Sequence, residues 1–167
     1  MEKTYYALTG PQKNIWQLEQ ISQNNSSLNT IYTVLKLPKN IDLKLLDKTL
    51  NKIRELNDSI RIRFTTNKMG EVMQFVDDFK YIPSRIIYAE TDDISNVIER
   101  EKEDKLSVFE KVNELAIVKT PNFCFVLYKT HHILSDGWGM TQVADQIKDI
   151  YCKYEQIDEL RKLQYKR

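Results

Sequence analysis

Two adjacent histidines, His131 and His132, are the only imidazoles in this 167-residue sequence. An aromatic and β-branched run at residues 123–128 precedes them, and apolar residues at helical spacing follow from Val143 onwards. The pair is therefore predicted to lie where a strand ends and a helix is about to begin. Because successive side chains of a strand point to opposite faces, only one of the two histidines can face a given cleft. An imidazole changes its charge near neutral pH, so this segment is the main candidate for acid–base chemistry.

Two other interpretations of the His-His segment stay open on the residues alone. Histidines at a strand end are commonly half-buried and hydrogen-bonded, and Asp136-Gly137 would then form an ordinary turn. A metal site would use His132 and Asp136, which are four residues apart. Zinc sites usually have three or four protein ligands, but the sequence has no third histidine, and Cys124 and Cys152 are remote from the pair. We therefore predict no bound metal.

The spacing His-His-x-x-x-Asp-Gly is found here at His131, His132, Asp136 and Gly137. It resembles the signature of condensation domains of nonribosomal peptide synthetases. More broadly, it is similar to the run found in chloramphenicol acetyltransferase-like acyltransferases. Trp138 continues the run in the same family-like manner.

Two upstream segments also resemble patterns of this family and occur in the order that the family requires. Residues 9–18 resemble Ser-x-Ala-Gln-x-Arg-Leu-Trp-x-Leu, and residues 56–64 resemble Arg-His-Glu-x-Leu-Arg-Thr-x-Phe. The retained positions are Gln12, Trp16 and Leu18 in the first segment and Arg61 and Phe64 in the second. The resemblance thus extends over nearly the whole chain.

The resemblance implies a fold, a reaction and partners. The fold is a chloramphenicol acetyltransferase-like lobe of the α/β (α+β) class, with a mixed β-sheet covered by helices. Family members have two such lobes, so we expect residues 1–167 to be the N-terminal lobe, with the C-terminal lobe absent. The reaction joins an acyl or peptidyl thioester to an aminoacyl thioester, both carried on the phosphopantetheine arms of carrier proteins. The expected partners are those carrier proteins, the adjacent synthetase domains and the missing lobe, and no cofactor is bound by the chain itself.

The resemblance also implies roles for individual residues. His132 is expected to be the catalytic imidazole, which accepts the proton of the attacking amine or holds the amine in line. His131 orients the loop from the other face. Gly137 lets the backbone pass close to the substrate, with its N–H directed at the developing oxyanion. A buried carboxylate needs a charged or multi-donor partner, and we expect Arg61 to be that partner for Asp136.

Composition limits the partners and the compartment. The net charge is +1, from 25 basic and 24 acidic residues, and this balance predicts no nucleic-acid partner and no attraction to an anionic membrane. The N-terminus lacks the apolar core of a signal peptide, and no run reaches the roughly 18 apolar residues of a membrane span. Cys124 and Cys152 lack C-x-x-C spacing and suit a reducing compartment. We therefore expect a cytoplasmic domain.

Hydrophobic periodicity predicts an alternation of strands and helices. Helices are predicted after Thr9, after Asp42, from Asp92 or Asp93 to Asp104, and over residues 138–154. Strands are predicted over residues 30–37, 60–65, 72–76, 84–88, 115–119 and 123–130. In the strand at 60–65, Arg61 and Arg63 are expected to share the polar face. Together these elements predict an α/β or α+β domain with helices covering a mixed sheet.

Two alternative functions remain open at this stage. A noncatalytic lobe that docks carrier proteins is favoured by Asn14, Leu56 and Asn57, where the sequence departs from the family patterns. A coenzyme A-dependent O- or N-acyltransferase of the same superfamily would keep the site and change the acceptor. Neighbouring coding sequence would separate these functions, because adenylation and carrier segments would indicate assembly-line condensation.

Overall fold

The computed structural model describes the backbone of residues 3–21 and 26–164 and the side chains of residues 3–21 and 28–157. Seven strands and five α-helices alternate along this part of the chain. The strands are β1 Tyr6–Ala7, β2 Thr30–Pro38, β3 Ile62–Thr66, β4 Val72–Val76, β5 Arg85–Tyr88, β6 Asn113–Lys119 and β7 Phe123–His131. The helices are α1 Gly10–Ile21, α2 Leu43–Leu56, α3 Asp58–Arg61, α4 Ser95–Glu103 and α5 Gly137–Gln164, and a short 3₁₀-helix spans Ser26–Asn29.

The larger sheet has four strands in the order β2-β7-β6-β5. β7 pairs antiparallel with β2 on one side and β6 on the other, whereas β5 pairs parallel with β6, so the predicted mixed sheet is confirmed. The predicted hairpin between β6 and β7 is also present, and the Thr120 N–H donates to the Phe123 carbonyl at 3.0 Å. In the β2–β7 register Thr30 lies opposite His131, which places the His-His step at the end of the central strand.

The smaller sheet has three antiparallel strands in the order β1-β4-β3. The turn between β3 and β4 is closed by the Asn67 side chain, which accepts from the N–H groups of Met69 and Glu71 at 2.9 Å. Gly70 adopts φ 80° in this turn, a conformation that glycine adopts without steric cost. This sheet carries β4 to the neighbourhood of the His-His segment.

Helices cover both faces of the four-stranded sheet, as the sequence predicts. On one face, α2 and α5 pack on the sheet through fully buried residues such as Leu50, Ile53 and Ile147. On the other face, α4 packs through Val97 against Val118 and its neighbours. Because β7 is buried on both faces, it appears in the sequence as a continuous apolar run.

The N-termini of the first two α-helices follow their predicted caps. The Asp42 carboxylate accepts from the N–H groups of Lys44 and Leu45 at 2.8 and 3.1 Å. At α1 the Gln12 side chain accepts from the Thr9 N–H at 2.9 Å, and the Thr9 hydroxyl faces the Gln12 N–H at 3.5 Å. This is the reciprocal arrangement of a capping box, and it fixes the start of α1 beside the smaller sheet.

The predicted strand at residues 60–65 is wrong at its start. Residues 58–61 form the short helix α3, and β3 begins at Ile62. Arg61 is therefore the last residue of a helix and does not share a strand face with Arg63. In the part of the chain that the structure describes, no helix is long and apolar enough to cross a membrane.

Candidate active site

The end of β7 separates the two histidines as the strand periodicity predicts. His131 is the last residue of β7 and its side chain is 0% exposed. His132 follows the strand and is exposed. One imidazole is therefore packed inside the fold, and the other is available to a ligand.

Hydrogen bonds on both ring nitrogens define the state of the buried His131. Its Nδ1 accepts from the Ile133 N–H at 3.1 Å, so the proton of the neutral ring lies on Nε2, which donates to the Glu19 carboxylate at 3.3 Å. Burial lowers the pKa of His131, and the nearby Glu19 carboxylate opposes that shift. A neutral ring in this position links β7, the following loop and α1.

The exposed His132 has its ring orientation set by the loop that follows it. Nδ1 lies 2.8 Å from the Ser135 carbonyl oxygen, and a carbonyl can only accept, so the neutral ring carries its proton on Nδ1. Nε2 then carries the lone pair. The His132 backbone N–H donates to the Asn29 carbonyl at 2.6 Å, which holds the residue at the edge of the larger sheet.

Asp136 begins helix α5. Its carboxylate Oδ1 accepts from the Gly139 N–H at 2.8 Å, and its carbonyl accepts from the Met140 N–H at 3.0 Å. The side chain of Asp136 is exposed, and it satisfies a backbone donor that the first turn of a helix leaves without an intrahelical partner. At Gly139 a Cβ atom would lie 2.5 Å from the Ser135 hydroxyl oxygen, so glycine at this position leaves room for the Ser135 side chain.

Gly137 is the first residue of α5, and a Cβ atom there would meet no other atom of the described residues within 4 Å. Packing inside this chain therefore does not require glycine at this position. The predicted close approach of a substrate to Gly137 stays a prediction.

The expected ion pair between Arg61 and Asp136 is wrong in this structure. The Arg61 guanidinium donates to the Asp58 carboxylate at 2.6 Å, to the Asp77 carbonyl at 3.1 Å and to the Arg54 carbonyl at 2.8 Å, and it also contacts the Glu55 carbonyl. Because α3 follows α2 directly, Arg61 reaches back to the last turn of α2. It lines a separate cleft of about 200 Å³.

His132 lies on the wall of a larger cleft of about 850 Å³. The cleft runs between α1, the smaller sheet and the loop before α5. Its lining includes apolar residues from each of these parts and the polar groups of the His-His loop. The residues that line it are Tyr6, Thr9, Pro11, Gln12, Asn14, Ile15, Ser59, Ile62, Gln74, Phe75, Val76, His132, Ile133, Leu134, Ser135, Asp136 and Gly139.

Of the predicted site residues, the cleft brings together His132 and Asp136, while His131 lies behind the wall and Arg61 lies elsewhere. Sequence reasoning missed Gln74, which is 8% exposed and pairs with Gln12 through amide hydrogen bonds of 2.8 Å in both directions. The signal was a single amide in the apolar strand at 72–76, where a buried polar group needs a partner.

A cluster of three carboxylates, Glu101, Asp104 and Glu114, has the spacing of metal ligands, but a lysine already occupies it. The Lys129 ammonium lies 2.9 Å from Asp104, 3.4 Å from Glu101 and 3.7 Å from Glu114. Because Lys129 is 1% exposed, its charge is the cation of this cluster. The carboxylates are thus part of a buried ion network on the α4 side of the sheet.

An α/β lobe with one solvent-facing imidazole at a strand end matches a known family. A family model described as "Condensation domain" matches residues 2–167. The chain therefore belongs to the condensation domain family, which confirms the resemblance seen at the His-His run.

Relatives and solved structures agree with this assignment. One plipastatin synthase polypeptide of Bacillus subtilis (strain 168) is 30% identical over 175 residues, which cover 96% of this chain and 6% of that protein. Enterobactin synthase component F of Escherichia coli (strain K12) is 27% identical, with 88% of this chain and 12% of that protein covered. The crystal structure of the starter condensation domain of the rhizomide synthetase has the same fold, with a TM-score of 0.76 at 20% identity, and the match covers 89% of this chain and 37% of that one. This chain therefore spans only a small part of each relative's length.

Proposed function

We propose that residues 1–167 form the N-terminal lobe of a peptide-synthetase condensation domain, with His132 as its catalytic residue. The observation that carries the proposal is the orientation of the His132 ring. Its Nδ1 is held by the Ser135 carbonyl at 2.8 Å, and the ring borders a cleft of about 850 Å³. The lone pair on Nε2 is then the part of the ring that is free to accept a proton from a ligand.

The proposed reaction is aminolysis of a thioester. The amine nitrogen of an aminoacyl thioester attacks the carbonyl carbon of an acyl or peptidyl thioester, so a C–N bond forms and the C–S bond breaks. The amine loses one proton and the departing thiolate gains one. His132 Nε2 accepts the first proton and returns it to the sulfur, which balances the step. An α-amine has an ordinary pKa of about 7.7 to 8.0, so a neutral imidazole is a suitable acceptor at neutral pH.

The other predicted site residues have supporting roles in this proposal. His131 fixes the loop from inside the fold through Glu19 and Ile133. Asp136 caps α5 and so sets the start of that helix beside His132. Gly137, at the first position of α5, presents its backbone N–H to the oxygen that becomes negatively charged during attack. Arg61 supports the lobe by closing the end of α2.

Both thioesters are substrates carried on phosphopantetheine arms of carrier proteins, and the lobe works beside adjacent synthetase domains in the cytoplasm. A second, C-terminal lobe would complete the tunnel. Exposed apolar side chains beside the cleft support this part of the proposal, since Tyr6 is 57%, Val76 39% and Trp138 74% exposed. Contiguous apolar surface of this kind is typical of an interaction face.

A single-turnover assay tests the proposal, with the complete condensation domain and with donor and acceptor carrier proteins loaded with their thioesters. We expect His132→Ala to slow amide formation by about 10²- to 10⁴-fold while the unfolding midpoint stays nearly unchanged, because the ring is exposed. Tyr88→Ala is the matched control, because it removes a ring that is 76% exposed and lies outside the cleft. An unchanged rate in His132→Ala would reject His132 as the catalytic residue.

The same assay on the 167-residue chain alone tests the proposed need for a second lobe. We expect no amide product at a rate comparable with that of the complete domain, since one wall cannot exclude water from the reacting groups. Product formation at the full rate would refute the two-lobe proposal. Product formed only from an acyl-coenzyme A donor would instead favour the coenzyme A-dependent acyltransferase.

A further inference from the structure

Helix α1 contacts the residues that flank His132 at two points, through Gln12 and Glu19. These residues are seven positions apart, which is about two helical turns and roughly 10 Å along the axis, so they lie on one face of the helix. None of the side chains of α1, all of which the structure describes, is fully buried. Polar contacts therefore contribute strongly to where this helix sits against the His-His loop.

The first contact lies on the C-terminal side of His132. Gln12 Nε2 donates to the Ile133 carbonyl at 3.3 Å and to Gln74 Oε1 at 2.8 Å. Gln12 Oε1 accepts from the Thr9 N–H at 2.9 Å and from Gln74 Nε2 at 2.8 Å. Gln74 also donates to the Ala7 carbonyl at 3.1 Å. One amide thus joins the cap of α1, strand β4 and the peptide that follows His132.

The second contact lies on the N-terminal side of His132. The Glu19 carboxylate oxygen Oε2 lies 3.3 Å from His131 Nε2 and accepts from Asn29 Nδ2 at 2.6 Å. The Asn29 carbonyl in turn accepts from the His132 N–H at 2.6 Å. Glu19 therefore holds both the residue before His132 and the residue that binds the His132 backbone.

We propose that Gln12 and Glu19 are positioning residues, which set the orientation of the His132 ring by holding the backbone on either side of it. This inference rests on the proposed function of His132. The ring reaches the Ser135 carbonyl only if the loop at 132–135 keeps its shape, and α1 fixes that loop at both ends. A displacement of about 1 Å at a reacting group can reduce a rate by about 100-fold, so weakening α1 should change turnover without removing any group that touches the substrate.

Gln12→Met is the main test, because it keeps the length of the side chain and removes both its donor and its acceptor. Gln12→Glu keeps the acceptor for Thr9 and loses the donor to Ile133, so it isolates that single bond. Gln17→Glu is the matched control, since it makes the same change on the exposed face of the same helix. The readout is the fraction of the Nδ1–H tautomer of His132, measured by ¹⁵N NMR on the 167-residue chain, together with kcat and KM of the complete domain.

We expect both Gln12 variants to lower the Nδ1–H fraction and to reduce kcat by about 10-fold or more, with KM within about twofold, while Gln17→Glu changes neither. A folded Gln12→Met chain whose His132 signals match the parent would overturn the inference. If Gln12→Met does not fold, Glu19→Gln tests the other end of α1, and unchanged His132 signals there would overturn it equally. The NMR readout needs no condensation activity, so failure of the proposed function in the turnover assay is distinguishable from failure of this inference.

Discussion

Arg61 holds the end of α2, and its removal should cost stability. Its side chain is 17% exposed, and its guanidinium donates to two part-buried carbonyls, Arg54 at 2.8 Å and Asp77 at 3.1 Å. The Arg54 carbonyl lies in the last turn of α2, where backbone acceptors have no intrahelical donor. The residue is thus a link between α2 and the end of β4.

The size of the effect follows from these contacts. A hydrogen bond from a charged donor contributes about 1.5–3 kcal/mol, so two part-buried bonds at the lower bound give a loss of about 3 kcal/mol for Arg61→Ala. The ion pair with Asp58 adds less than about 1 kcal/mol, because that carboxylate is 72% exposed. Arg61→Lys should recover only part of the loss, since an ammonium cannot reproduce the fork geometry of a guanidinium.

Urea denaturation of the 167-residue chain measures this loss, with Arg100→Ala as control for removal of an exposed arginine on α4. The control should change the free energy of unfolding by less than about 0.5 kcal/mol. If Arg61→Ala costs no more than the control, the capping role of Arg61 is refuted. A double-mutant cycle between Arg61 and Asp136 should give a coupling energy near zero, and strong coupling would restore the ion pair that the sequence suggested.

Two further predictions concern buried charge. Lys129→Met should cost about 3–5 kcal/mol of unfolding free energy, because it leaves carboxylates without their buried cation; Lys111→Met, at a lysine that is 42% exposed, should cost less than about 1 kcal/mol, and equal losses in urea denaturation would contradict the buried network. Burial lowers the pKa of His131 below its ordinary value of 6.5, so below that pH the unfolded chain binds a proton that the folded chain does not. Stability should therefore fall as the pH decreases from about 6.5, and His131→Gln should flatten this slope in urea midpoints measured across the range; an unchanged slope would assign the acid sensitivity to other groups.

Local signals in the sequence predicted much of the fold. The Asp42 cap, the hairpin turn at Thr120 and the strand end at His131 each depend on residues within a few positions of one another. The opposite placement of His131 and His132 followed from strand periodicity alone. These features needed no knowledge of which distant residues would meet.

The contacts that the sequence did not predict are those between distant residues. Gln12 and Gln74 are 62 positions apart, and nothing near either residue indicates that their side chains pair. Arg61 was expected in a strand because its neighbours alternate in polarity. Its bonds to the end of α2 instead accompany a short helix, and the expected charge pairing with Asp136 did not follow. Tertiary contacts overrode local pattern at this residue.

The protonation state of His132 tests the central claim most directly. ¹⁵N NMR of the imidazole in the 167-residue chain, above the pH at which the ring is charged, distinguishes the two neutral tautomers. The orientation set by the Ser135 carbonyl predicts a proton on Nδ1 and a lone pair on Nε2. A predominant Nε2–H tautomer would leave the cleft without the proton acceptor on which the proposed aminolysis depends, and would contradict the account.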